Sequence, residues 1–140
     1  MRATQWLVDR SALWRADHDE VGDRLEAFIH SGLARVSIAT ELEIGYSARS
    51  TADYHLMRER VIERLIPVAL PSRAEGRARD VQKALVQRGQ HRAVSIPDLL
   101  IAATAEIENL TVLHYDSDFD LITEVTGQPT EWVVSQGSIP

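Results

Sequence analysis

The stretch SIPDLLIAATAEI, Ser95–Ile107, is apolar around nearly its whole circumference when wound as a helix, with one acid, Asp98, near its start. A helix that is hydrophobic all round is buried on several sides, so the rest of the chain must supply layers that cover it. The carboxylate of Asp98 has two readings. Ser95-Ile-Pro-Asp98 matches the S-x-x-[DE] capping box, in which Ser95 caps the helix and Asp98 reaches back to the Ser95 amide. Alternatively Ser95 caps alone, Pro97 is tolerated in the first turn, and Asp98 is free to serve as a metal ligand.

Working outward, short β-like runs alternate with longer helical patterns. Thr4–Asp9 (TQWLVD) reads as a first strand and Ala34–Ala39 (ARVSIA) as a second. A helix lies within Asp19–His30, with Val21, Leu25, Phe28 and Ile29 inward and Gly32 as its C-cap. Thr40 is placed to cap a short helix, ELEIGYSARS. Met57, Val61 and Leu65 recur every fourth residue, a helical stripe. Leu65–Leu70 (LIPVAL) is a strand only if Pro67 lies at a sheet edge or a strand start. A helix over Arg73–Arg88 presents Ala74, Ala78, Val81 and Leu85 and stops at Gly89. Beyond the opening stretch, Leu110–Asp116 (LTVLHYD) and Thr130–Ser135 (TEWVVS) are strands, and the acidic YDSDFD that overlaps the first reads as a loop. This alternation predicts an α/β fold: a mainly parallel sheet covered on both faces.

At 140 residues the chain fits one domain, 1–140, large enough to bury a core. It has no cysteine, which excludes a disulfide framework, a thiolate metal site and a Cys nucleophile. No apolar run approaches the roughly 20 residues that cross a bilayer, and no signal peptide is visible at the N-terminus, so the expected location is the cytoplasm. The formal net charge of −6 argues against a general nucleic-acid binder. Acids gathered around a cation are neutralised by it, however. The basic residues are nearly all Arg, with Lys83 the single lysine, and Arg suits bidentate phosphate contact.

In parallel α/β sheets ligands bind beyond the carboxyl ends of the strands, and several acids fall there. Asp9 ends the first strand; Asp116 ends the LTVLHY strand, with Asp118 two residues on. Glu41 lies in the first turn of its helix, with Glu43 two residues later, and Asp98 starts the apolar helix. Each alone has an ordinary role as a turn, helix-start or solvated residue. Together they make a carboxylate cluster, which would repel itself and raise its own pKa values unless divalent cations neutralise it. Mg²⁺ and Mn²⁺ prefer such oxygen ligands.

Four pieces now match a known pattern: LVDRSAL (7–13), TELEIGYSAR (40–49), IPDLLIAATA (96–105) and LHYDSDFDLI (113–122). With them the chain resembles the PIN-domain ribonucleases, and within these the VapC-type toxins of bacterial toxin–antitoxin pairs. The resemblance implies a three-layer α/β/α sandwich and Mg²⁺- or Mn²⁺-dependent RNA cleavage. It implies catalytic acids at Asp9, Glu41, Asp98 and Asp116, with metal held by Asp9, Asp98, Asp116 and Asp118. Glu41 is preferred over Glu43 because the family's E-L-x-x-G pattern ends at Gly45. Two residues turn a helix by about 200°, so both glutamates cannot face one centre. Ser11 is a hydroxyl beside the first acid. The chain departs from the pattern at Arg10, where a small or polar residue often stands, and at His114–Tyr115–Asp116, where many members have T-R-D.

The expected mechanism is hydrolysis by a water activated at the ion, leaving a 5′ phosphate and a 3′ hydroxyl. Arg10, Arg49, Arg88 and Arg92, with Gln90 and His91, are candidates for contacting RNA, although none is singled out. The resemblance also implies a VapB-type antitoxin, seated against apolar residues between Ala39 and Leu65, and a homodimer. Two other classes compete. A phosphoryl-receiving signalling module needs a paired early acid and a late lysine, and Lys83 comes too early. A PIN-like RNA- or protein-binding module without catalysis would bind metal and leave RNA intact.

Overall fold

The computed structural model describes residues 3–140. Five strands are present: β1 (Trp6–Val8), β2 (Ala34–Ser37), β3 (Ile66–Val68), β4 (Thr111–His114) and β5 (Thr130–Trp132). Between them run α1 (Arg10–Leu13), α2 (Asp19–His30), α3 (Ile38–Tyr46), α4 (Thr51–Arg60), α5 (Arg73–Gln87), α6 (Ile96–Ile107) and α7 (Asp118–Thr126), with a 3₁₀ turn at Ile62–Arg64. All strand pairings are parallel, in the order β3-β2-β1-β4-β5.

Successive strand residues point to opposite faces, and two cores result. Leu7 and Val112 join Val81 and Leu85 of α5, Leu99, Ile101, Ala102 and Ala105 of α6, and Phe119 and Ile122 of α7. Val8 and Leu113, their neighbours in sequence, join Ala12 and Leu13 of α1, Val21 and Leu25 of α2, and Ile44 of α3 on the other face. The result is the expected three-layer α/β/α sandwich. As its composition requires, α6 buries residues on several sides, from Asp98 and Leu99 through Ala105. Mid-helix, the Ala102 carbonyl accepts a bond from the buried Gln128 side chain at 2.9 Å.

Pro67 fits because β3 is an edge strand with only β2 beside it. Gly89 adopts φ +69° just past α5, a left-handed conformation that favours glycine and ends the helix. Three expectations are corrected. The second strand ends at Ser37, and Ser37 rather than Thr40 caps α3, its hydroxyl accepting from the Thr40 amide at 3.3 Å. The stripe through Met57, Val61 and Leu65 is not one helix: α4 ends at Arg60, and Val61 (φ −120°) leads into the 3₁₀ turn. The acidic segment read as a loop is so only over Tyr115–Ser117; from Asp118 it is the start of α7, which the buried Phe119 and Ile122 anchor. The four-residue α1, capped by Asp9, was not expected either; it is too short to show a helical period.

Candidate active site

The strand order reverses between β1 and β4: β1 connects onward to β2 on one side, whereas β4 and β5 lie on the other. The crevice beyond the carboxyl ends at such a switch point is where parallel sheets bind ligands. Asp9 and Asp116 stand at its two lips. The Asp9 amide continues the β1–β4 ladder, donating to the Leu113 carbonyl at 2.9 Å. Its side chain turns back to cap α1, so Oδ2 accepts from the Ser11 amide at 3.0 Å and the Ser11 hydroxyl at 2.6 Å. Its Oδ1 is buried and has no partner.

Across the crevice, the turn after β4 is held amide by amide. The Tyr115 amide donates to Ser11 Oγ at 2.8 Å, the Asp116 amide to His114 Nδ1 at 3.1 Å, and the Asp118 amide to Asp116 Oδ1 at 2.9 Å. From the helical layer, α6 delivers Asp98. The Asp98 amide bonds Ser95 Oγ at 3.2 Å, so Ser95 caps the helix. The capping box is not reciprocal, however: among the described residues the Ser95 amide makes no bond to the Asp98 carboxylate. Carboxylate oxygens of Asp98, Asp116 and Asp118 lie within 4.8 Å of one another.

Electrostatics follow from this crowding. Burial, then the charges of Asp9 and Asp116, push Asp98 up to about 8. Burial raises Asp9 and Asp118 as well, with Asp116 adding to each. The neighbouring Asp98 carboxyl partly offsets the effect of burial on Asp118. The cation set against the cluster is Arg10, whose Nε is 3.8 Å from Glu43 Oε2.

The structure places the two glutamates on different sides, against the expectation. Glu41 points away from the crevice and pairs with Arg58 at 3.3 Å. Glu43 faces the acids: burial and then Asp9 raise its pKa, with Asp116 contributing, and its Oε1 is buried without a partner. The structure thus brings together Asp9, Glu43, Asp98, Asp116 and Asp118, with Ser11 beneath them, and leaves Glu41 out. Among the described residues, buried carboxylate oxygens without hydrogen-bond partners occur at Asp9 and Glu43. An all-oxygen donor set with such orphaned atoms fits a hard divalent cation.

His114 is wholly buried against Phe119 and Trp132. Burial lowers its pKa to about 4, so it is neutral and packed, and it contacts the centre only through the Asp116 amide. Of the arginines, Arg88 pairs with Glu124 at 3.0 Å, and Arg92 is exposed three residues before the α6 cap. Beside Glu43 opens a hollow of about 510 Å³ lined by Arg10, Ala39, Leu42, Tyr46, Ile96, Pro97 and Leu100. Leu42, Tyr46 and Ile96 are strongly exposed there, at 65, 93 and 70 %.

Comparisons with known proteins bear on the family and the fold. The model of the PIN domain matches residues 6–125. Ribonuclease VapC21 of Mycobacterium tuberculosis is 43 % identical over 135 residues, covering 96 % of this chain and 98 % of that protein. Ribonuclease VapC2 of the same species is 44 % identical over 132 residues, 94 % of each. Among solved structures, DNA-bound VapBC from Salmonella typhimurium matches with a TM-score of 0.76 at 18 % identity, covering 94 % of this chain and all of that one. VapBC-5, a toxin–antitoxin system of Mycobacterium tuberculosis, matches at 0.62 with 21 % identity over 93 and 98 %.

Proposed function

Because the chain belongs to the PIN-domain family, we propose that it is a metal-dependent endoribonuclease and the toxin of a VapBC-type toxin–antitoxin pair, with its centre at Asp9, Glu43, Asp98, Asp116 and Asp118. The observation that carries this reading is the buried carboxylate cluster at the β1–β4 switch point, with unpartnered oxygens on Asp9 and Glu43. The ion it suits is Mg²⁺ or Mn²⁺, which Asp98, Asp116, Asp118 and Asp9 would hold. A bound divalent ion supplies the charge that acidifies water and stabilises a phosphoryl transition state.

The protein's own groups set the conditions for that chemistry. Ser11 holds Asp9 by Oδ2, which leaves Oδ1 directed into the centre. The amide contacts of the β4–α7 turn fix Asp116 and Asp118 before any ligand arrives. Such preorganisation removes the cost of arranging charge during the reaction. Arg10, at the rim, lies beside Glu43 and is the group placed to meet an RNA phosphate. No nucleophilic side chain takes part.

The whole chain is read as one PIN domain acting in the cytoplasm; no helix among the described residues is long and apolar enough to cross a membrane. The exposed apolar residues beside Glu43 suit a VapB-type antitoxin, and a homodimer is the proposed assembly. The test is to map new 5′-phosphate ends in total RNA after expressing wild type and Asp98→Asn side by side. Ends unique to the wild type support the reading. Metal binding without any cleavage would favour a binding module instead.

A further inference from the structure

We propose that Tyr115 is a positioning residue for the acidic centre, and that the C-terminal segment Gly137–Pro140 is the anchor against which it works; this rests on the metal-dependent reading above. Tyr115 lies between His114, the last residue of β4, and Asp116. Its backbone amide is tied to Ser11 Oγ at 2.8 Å, the same hydroxyl that holds Asp9 at 2.6 Å. Its side chain runs the other way, out to the tail. The hydroxyl donates to the Ile139 carbonyl at 2.6 Å and accepts from the amides of Gly137 at 3.0 Å and Ile139 at 3.3 Å. A phenol has one proton to give and accepts through its oxygen, so this hydroxyl's donor and acceptor capacity is used on one short stretch of backbone.

The tail is shaped to receive it. Gly137 adopts φ +79°, and the Ser138 amide and hydroxyl both close onto the Ser135 carbonyl, at 3.0 and 2.6 Å. That turn brings Ile139 back against the core beside Tyr115 and Val134. Arg15 completes the circuit. Its guanidinium lies 4.5 Å from the centroid of the Tyr115 ring, and it donates to the Pro140 carbonyl at 3.0 Å and the Ser11 carbonyl at 2.8 Å. Trp132 of β5 meets the ring edge-on, with centroids 5.2 Å apart.

These contacts form one closed ring of interactions: tail to Tyr115, Tyr115 to Ser11, Ser11 to Asp9, and Arg15 to Tyr115, Ser11 and the tail. Both lips of the crevice are attached to it. Asp116 follows the pinned tyrosine directly, and Asp9 shares the pinned serine. A displacement of the Tyr115 backbone therefore moves a ligand on each side. Outer partners of this kind alter metal affinity about 10- to 100-fold when removed.

The experiment compares wild type, Tyr115→Phe, a chain ending at Gln136 and their combination. Mn²⁺ affinity is read by calorimetry at a temperature where thermal melting shows each variant folded, and cleavage is read as kcat and KM separately. The expected result is a rise in the Mn²⁺ dissociation constant of about tenfold in each single variant. The combination adds little more, because both changes cut the same ring. Alongside it, kcat falls and KM for RNA changes less than twofold. A lowered melting temperature with Mn²⁺ affinity within twofold of wild type overturns the proposal, as does an effect of Tyr115→Phe that the shortened chain does not share. If wild type itself binds no Mn²⁺, the metal-dependent reading falls and this inference with it; if wild type binds and the variants bind equally, only the inference falls.

Discussion

The Ser11 hydroxyl donates to Asp9 Oδ2 across 2.6 Å while accepting the Tyr115 amide at 2.8 Å. One oxygen thus joins the ends of β1 and β4, and it fixes which Asp9 oxygen is left for a ligand. Ser11→Ala should weaken Mn²⁺ binding about tenfold and cost about 1 kcal/mol of stability. Ser11→Thr, which keeps the hydroxyl, should restore the affinity. Equal Mn²⁺ titration curves for wild type and Ser11→Ala would show that the hydroxyl only packs.

Glu41 and Glu43 separate the two sides of α3. Glu43→Gln removes a carboxylate that shares the field of Asp9 and Asp116 and should lower the cleavage rate on the order of 100-fold or more. Glu41→Gln breaks a part-exposed pair with Arg58, worth about 0.2–1 kcal/mol, and should leave cleavage within twofold of wild type. Rates on one RNA substrate under saturating Mg²⁺ decide between them, and the reverse pattern would restore Glu41 to the site.

The layers of the fold were readable because period and composition pointed the same way. The all-apolar α6 demanded cover, and the Pro67 strand could only be an edge. Four of the clustered acids were readable for the same reason, since strand ends and helix starts are local features. The glutamate was not. Buried Thr40 and Ile44 define the inner stripe of α3. At about 100° per residue, Glu41 and Glu43 flank that stripe on opposite sides. Which flank meets the crevice depends on how α3 crosses the sheet, and no periodicity records that. Placing the cap at Thr40 rather than Ser37 also shifted the expected start of the helix. The α7 helix was hidden by its acids: Asp118 and Asp120, close after Asp116, suggest a loop, while its burial rests on Phe119 and Ile122.

Stability should depend on pH in the direction set by raised carboxyl pKa values. Asp98 is raised to about 8 from an ordinary value of 3.8, so between those values the folded chain holds a proton that the unfolded chain releases. Unfolding then releases protons, and the metal-free protein should lose stability as pH rises from about 4 to about 8. Below that window both states are protonated, and above it both are ionised. Asp9 and Glu43, also raised, add to the same trend. Thermal melting across the window in a chelating buffer, repeated with excess Mn²⁺, measures it. A metal-free melting temperature that climbs through pH 6–8 would contradict the buried cluster.

Asp98→Asn tests structure and chemistry with opposite signs. The amide keeps the size of the carboxyl and leaves the Ser95 cap untouched, because that bond is made by the Asp98 backbone amide. It removes the charge that Asp9, Asp116 and burial oppose. The metal-free variant should therefore be more stable than wild type at pH 8, on the order of 3–5 kcal/mol by the usual cost of an uncompensated buried charge, with little difference at pH 4. The same variant should bind Mn²⁺ weakly, gain little stability from it and cleave no RNA. Had Asp98 served mainly to cap its helix, the variant would be destabilised at every pH and its cleavage would persist in proportion to the folded fraction. Denaturant melts at pH 4 and pH 8, with and without Mn²⁺, separate the two outcomes before any RNA is added.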